Sequence, residues 1–308
     1  MNETGGRVIV TGGSGLIGRP LVDGLAADGH EVIVLSRAPE RVDRLPAGAR
    51  AVGWDAESAD GWGELADGAG GIVHLAGESL ADWPWSDEKK RAIRDSRVRS
   101  SLAVLEAIRR AAVAPRVLLQ ASGVNYYGDT GDRVIDEEEP PGEGFLPEVC
   151  VEWEASTEEV EQRGVRRALL RTAMVLSTEG GALPKLALPF KLFVGGPTGR
   201  GDHWMPWIHR TDQVAAIRFL LADEAAAGPF NLAAPQPVTN RELSRQLAHA
   251  LRRPGWFPVP KTALRLALGE MADMLLVSLR VVPGRLENLG FRFRFPTLTQ
   301  ALADLYGR

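Results

Sequence analysis

Short apolar runs recur along most of the chain without the polar alternation of a half-buried strand. Val8-Ile9-Val10, Val32-Ile33-Val34-Leu35, Ile72-Val73-His74-Leu75, Val117-Leu118-Leu119 and Ala168-Leu169-Leu170 each read as a strand buried on both faces. Between the first two, Leu16-Ile17, Leu21-Val22 and Leu25-Ala26 recur at helical spacing until Gly29 closes the helix. Helical patterns also cover Ser101 to Ala112 and Glu152 to Gln162. Strands alternating with helices predict a doubly wound α/β fold with a parallel sheet covered on both faces.

Beyond residue 235 the pattern turns mostly helical. Thr239-Asn240-Arg241-Glu242 has capping-box spacing and opens a helix with Leu243, Leu247, Ala250 and Leu251 on one face. A longer helix is expected through the 262–280 region. Phe291, Phe293 and Phe295 alternate with Arg292 and Arg294, which predicts a half-buried strand. A second capping box, Thr297 to Gln300, opens a terminal helix. The expected division is therefore residues 1–235 as the α/β domain and 236–308 as a smaller domain covering the substrate.

The chain has 308 residues, 44% of them hydrophobic and 25% charged, with a net charge of −4. That composition is ordinary for a globular protein, and the negative balance gives no reason to expect nucleic acid or an anionic membrane as partner. Arg265, Glu270, Asp273 and Arg280 interrupt the most apolar late stretch, which argues against a membrane span. The first seven residues carry no apolar core of a signal peptide, so the cytoplasm is the expected location. One cysteine, Cys150, excludes an intramolecular disulfide and a cysteine-rich metal cluster. His203, His209, Asp202 and Asp212 lack a metal-ligand spacing, so no metal is expected. The acidic run Asp136 to Glu139 reads as a solvated loop.

Chemistry enters at the first strand–helix turn. Gly12, Gly13, Ser14, Gly15, Leu16, Ile17 and Gly18 follow a buried strand and open an amphipathic helix, with glycines at 12, 15 and 18. In that context the glycines let the backbone approach a pyrophosphate, and the helix N-terminus offers free N–H donors. The fold is then of the Rossmann type. The second strand ends in Ser36-Arg37, where an NAD site would carry an acid for the ribose hydroxyls. An arginine there suits a 2′-phosphate, so NADP(H) is the expected cofactor.

These residues resemble the extended short-chain dehydrogenase/reductase superfamily, its NAD-dependent epimerase/dehydratase group, and within it an epimerase-family subgroup. Leu75-Ala76-Gly77-Glu78, Arg94-Asp95-Ser96-Arg97, Tyr126-Tyr127-Gly128, Trp153-Glu154, Arg171 to Leu176, Gly180 to Leu183, Met205 to His209 and Gly269 to Asp273 match it as well. The resemblance covers nearly the whole chain. It implies cofactor contacts from the glycine turn, Ser36, Arg37, Leu75, Ala76, Gly77, Arg97 and the backbone around Val175. It implies a small-molecule substrate and allows an oligomer.

The superfamily's Tyr-x-x-x-Lys pair is missing. In register, Cys150 stands at the tyrosine position and Glu154 at the lysine position, one helical turn apart. A neighbouring carboxylate raises a thiol's pKa, so Cys150 reads either as a weak acid or as a buried structural cysteine. Ser122 stands at or one residue short of the family's serine. Tyr126 and Tyr127 read either as replacement acids or as packed rings. The expected function is an NADP(H)-binding oxidoreductase or epimerase-like enzyme acting on a small substrate. The alternatives are a nucleotide-sugar epimerase or dehydratase, and a non-catalytic NADPH-sensing regulator.

Overall fold

A computed structural model describes residues 6–80, 85–260, 262, 266 and 276–307. Seven parallel strands form the central sheet: β1 (Arg7–Thr11), β2 (Glu31–Ser36), β3 (Ala49–Gly53), β4 (Gly71–His74), β5 (Val117–Gly123), β6 (Arg166–Thr172) and β7 (Gly228–Leu232). Their order is β7-β6-β5-β4-β1-β2-β3, so the chain reverses direction across the sheet between β1 and β4. This is the expected doubly wound Rossmann architecture.

Residue parity in each strand divides two cores. Val8 and Val10 of β1, with Val32 and Val34 of β2, face helices α1 (Gly18–Ala27) and α5 (Arg210–Ala222). Ile9, Ile33 and Leu118 face α2 (Asp87–Arg110) on the other side. Burial on both faces explains why these strands read as unbroken apolar runs. The edge strand β3 is only half buried, so its sequence carries no such run.

Four elements depart from the expected pattern. The charged stretch around Lys89 and the 101–112 periodicity are one helix, α2, with Ser86 accepting from the Lys89 amide at its start. The helix expected over 152–162 is instead α3 (Phe145–Ala155) followed by a 3₁₀ turn over Glu158–Arg163. Buried Gln120 donates to the Trp153 carbonyl and accepts from the Thr157 hydroxyl, which draws off the carbonyl an α-helix would use there. Phe291 and Phe295 are buried as the alternation requires, but their segment joins no sheet. The amides of Arg294 and Phe295 donate instead to the Asp212 carboxylate, at 2.8 and 2.9 Å. The acidic run is not wholly solvated either, because Glu137 is buried and accepts from the amides of Asn231 and Arg285.

Helices α4 (Ala182–Lys191), α6 (Asn240–Leu251) and α8 (Leu298–Tyr306) share a third core with Leu176, Trp207 and Phe295, while the short α7 (Gly284–Asn288) packs against β7. Thr239 and Thr297 cap α6 and α8 as their sequence spacing predicts. The helix expected at 262–280, including Gly269 to Asp273, lies almost wholly outside the described residues. Among the described residues no helix is long and apolar enough to cross a membrane.

Candidate functional site

The carboxyl edge of the sheet gathers most of the expected residues. At the β1–α1 turn the glycines face different neighbours. Gly12 has φ +68°, and a Cβ there would press on the backbone of Leu75 and Ala76 at 3.1–3.2 Å. A Cβ at Gly18 would run into the backbone of Gly12 and Gly13, so this glycine lets helix and turn close on each other. Ser14 and Gly15 are exposed, and a Cβ at Gly15 would meet only the Gly12 carbonyl, at 3.2 Å. The N-terminus of α1 has no side-chain cap and no acid in its first turn, so its positive dipole end meets no side chain that would repel an anion. These features fit a dinucleotide pyrophosphate.

Ser36 and Arg37 follow at the end of β2, the next strand. Ser36 accepts from the Ala38 amide at 3.2 Å. Arg37 is exposed and has no hydrogen bond or ion pair among the described residues, whereas nearby Arg19 pairs with Asp43. On the other side of the turn, Thr11 fixes the strip after β4, accepting from the amides of Leu75 and Ala76, both at 3.0 Å. Both lone pairs of its oxygen are then used, so its proton goes to Nδ1 of His74, 2.8 Å away. His74 is consequently the tautomer protonated at Nε2, which points at Ser101 Oγ, 3.1 Å away. Ser101 in turn accepts from the Trp153 indole at 3.1 Å. Burial pushes His74 down to about 3, so the ring is neutral. Gly180 and Gly181, before α4, pack against Leu16, and Gly181 lies close to the Val175 carbonyl.

A second polar group lies deeper. Strand register sets Ser122 of β5 beside Arg171 of β6, and Arg171 beside Asn231 of β7. Arg171 grips Glu154 with two bonds of 2.9 Å, Nε to Oε1 and Nη2 to Oε2. Ser122 donates to the same carboxylate at 2.6 Å. Both charged side chains are nearly sealed from solvent. The Tyr127 hydroxyl donates to Asn231 at 2.6 Å and accepts from Arg171 at 3.1 Å, and burial pushes this phenol up to about 12. Tyr126 stacks under the Arg171 guanidinium, 3.5 Å from ring centre to Cζ.

Cys150 and Glu154 share one face of α3, as their spacing requires. Burial pushes the Cys150 thiol up to about 11, and the Glu154 carboxylate adds to the shift. Burial is the larger cause, which spacing alone does not reveal. Ser122 and Cys150 line a cavity of about 370 Å³ with Arg97, walled by residues such as Val149, Trp153, Met174, Met205 and Leu279. Neither Tyr126 nor Tyr127 lines it. Sequence reasoning assigned no role to Arg171, Asn231 or Thr11. The available signal was a polar residue at, or one position before, the end of an apolar strand. His209 accepts from the Thr211 amide and caps α5. Among the described residues no group of three or more His, Cys, Asp or Glu could hold a metal ion.

The model of the NAD dependent epimerase/dehydratase family matches residues 8–233, and a domain of unknown function, DUF1731, matches 259–305. The chain is 38% identical over 296 residues to the epimerase family protein Mb2239 of Mycobacterium bovis, covering 96% of each. It is also 38% identical to the chloroplastic epimerase family protein SDR39U1 homolog of Arabidopsis thaliana, over 96% of this chain and 85% of that one. Among solved structures, human epimerase family protein SDR39U1 with NADPH superposes with a TM-score of 0.86 at 30% identity, covering 98% of this chain and 99% of that one.

Proposed function

The chain belongs to the NAD-dependent epimerase/dehydratase family, in the extended short-chain dehydrogenase/reductase group, and from that premise we propose that it is an NADPH-binding oxidoreductase acting on a small substrate. The unpaired, exposed Arg37 directly after β2 carries the reading, since a guanidinium there matches a 2′-phosphate. The human relative's crystal structure with NADPH supports it. The turn from Gly12 to Gly18 would hold the pyrophosphate, Ser36 and Arg37 the phosphorylated ribose, and Leu75, Ala76, Gly77 and the Val175 backbone the nicotinamide half. When bound, the dinucleotide supplies or accepts a hydride.

Around that site this chain's groups orient more than they ionise. Arg171 grips Glu154, and the Ser122 hydroxyl donates to the same carboxylate, which leaves the Ser122 oxygen available as an acceptor beside the cavity. Cys150 remains a thiol at neutral pH. Its acidity lies close to that of an ordinary phenol, the group the family resemblance puts at this position. Apolar side chains make up most of the cavity wall.

The full engagement of Glu154 and Tyr127 by their partners favours one further reading, a protein that binds NADPH as a sensor without turning it over. Titration of NADPH and NADH against the wild-type chain tests the cofactor assignment. NADPH should bind about ten- to a hundredfold more tightly, the range of one charge-assisted contact. Equal affinities would refute it. Oxidation of bound NADPH by any small carbonyl compound would then exclude the sensor.

A further inference from the structure

Among the described residues, Arg97 is a buried cation that forms no ion pair. It is 8% exposed, on α2, and lines the cavity. Its Nη1 donates to the carbonyls of Glu78 and Ile93, at 3.1 and 2.9 Å. The guanidinium carbon lies 4.9 Å from the Trp153 ring centre. Its remaining donors, Nε and Nη2, meet no acceptor among the described residues. The nearest candidate, the Glu78 carboxylate, is held by Lys89 at 2.6 Å, and Cys150 is an uncharged thiol. A buried charge is costly unless an opposite charge completes it. Here the side-on Nε–Nη2 edge, the pair of donors that grips a carboxylate through both oxygens, is left over.

The rest of the cavity is mainly apolar, and its volume of about 370 Å³ is at the small end for ligand sites. A nucleoside diphosphate would bring two phosphates and a ribose to walls such as Val149, Met205 and Leu279, which offer them no partner. We propose that the cavity takes a small, largely apolar carboxylic acid whose carboxylate pairs with Nε and Nη2 of Arg97. This deepens the oxidoreductase reading and rests on it, because it names the substrate class of the same cavity. It also turns Arg97 from the cofactor contact implied by the family resemblance to the substrate side.

Calorimetric titration of the full chain, with and without NADPH, tests this against acetate, butanoate, hexanoate and benzoate, and against the corresponding alcohols. The carboxylates should bind the wild type about tenfold or more tightly than the alcohols. Each added methylene should tighten binding about three- to fourfold until the cavity is full. Arg97→Met should erase the carboxylate preference, and Arg97→Lys, which keeps the charge but not the fork, should retain part of it. Carboxylates that fail to bind, alcohols that bind equally, or a preference surviving in Arg97→Met would overturn the proposal. So would a tenfold loss of NADPH affinity in Arg97→Lys with carboxylate binding intact, since that makes Arg97 a cofactor contact. A wild type that binds carboxylates selectively but not NADPH would support this inference and refute the cofactor reading, so the two failures are distinct.

Discussion

Gly15 and Gly18 stand in one turn yet answer to different demands. At Gly18 the helix and the turn leave no room for a Cβ, so Gly18→Ala should destabilise the fold by about 1–3 kcal/mol in thermal denaturation. At Gly15 a Cβ would press on the Gly12 carbonyl alone, at 3.2 Å, so Gly15→Val should leave the fold largely intact and lose NADPH binding, which a paired melting curve and titration would separate. The spacing of the glycines is plain in the sequence. Which one packs and which one faces a ligand is not, because that depends on where the backbone after β4 crosses the turn. Cys150 shows the same limit. Its spacing from Glu154 predicts a raised thiol pKa, but only the packing around α3 shows burial as the main cause. Alkylation of the folded protein should accordingly remain slow up to about pH 11, the value its surroundings impose. Rapid labelling at neutral pH would contradict that placement.

Elements meet where polar side chains end apolar strands. Ser122, Arg171 and Asn231 lie side by side on β5, β6 and β7, and α3 delivers Glu154 onto that row. Removing one partner leaves the other charge buried, so Glu154→Gln and Arg171→Met should each cost about 3–5 kcal/mol in denaturant unfolding. Their double variant should cost less than the sum, because both remove the same interaction. Additive losses would mean the pair does not act as a unit. Strand existence was legible here because burial on both faces produces apolar runs. The capped starts of α6 and α8 were legible too, whereas the end of α3 and the path of the Phe291–Phe295 segment were not, because distant side chains set them. Gln120 of β5 ends α3, and Asp212 of α5 holds the Phe291–Phe295 segment away from any sheet. The charge patterning of Asp136 to Glu139 concealed Glu137 for the same reason, since its partners are amides of remote segments.

Across the whole molecule, the buried chain Thr11–His74–Ser101–Trp153 ties the cofactor turn to α2, α3 and the cavity wall. His74 is neutral in the fold and has its ordinary value of 6.5 when unfolded. Below pH 6.5 the unfolded chain therefore binds the extra proton, and stability should fall as pH drops towards about 3. The slope from this one group is ~1.4 kcal/mol per pH unit. His74→Gln should flatten that acid limb in denaturation curves taken between these pH values, whatever it does to stability at pH 8. An unchanged slope would mean that other groups set it. The sequence showed His74 only as one polar residue in an apolar strand. Its role follows from the register that pairs it with Thr11. The same edge of the sheet supports the central claim, that Arg37 reads a 2′-phosphate beside the glycine turn. A double cycle tests it most directly, with NADPH and NADH each titrated against wild type and Arg37→Ala. The account predicts a coupling of about 1.5–3 kcal/mol, with NADPH weakened and NADH scarcely changed. Equal losses for both cofactors, or none, would contradict it.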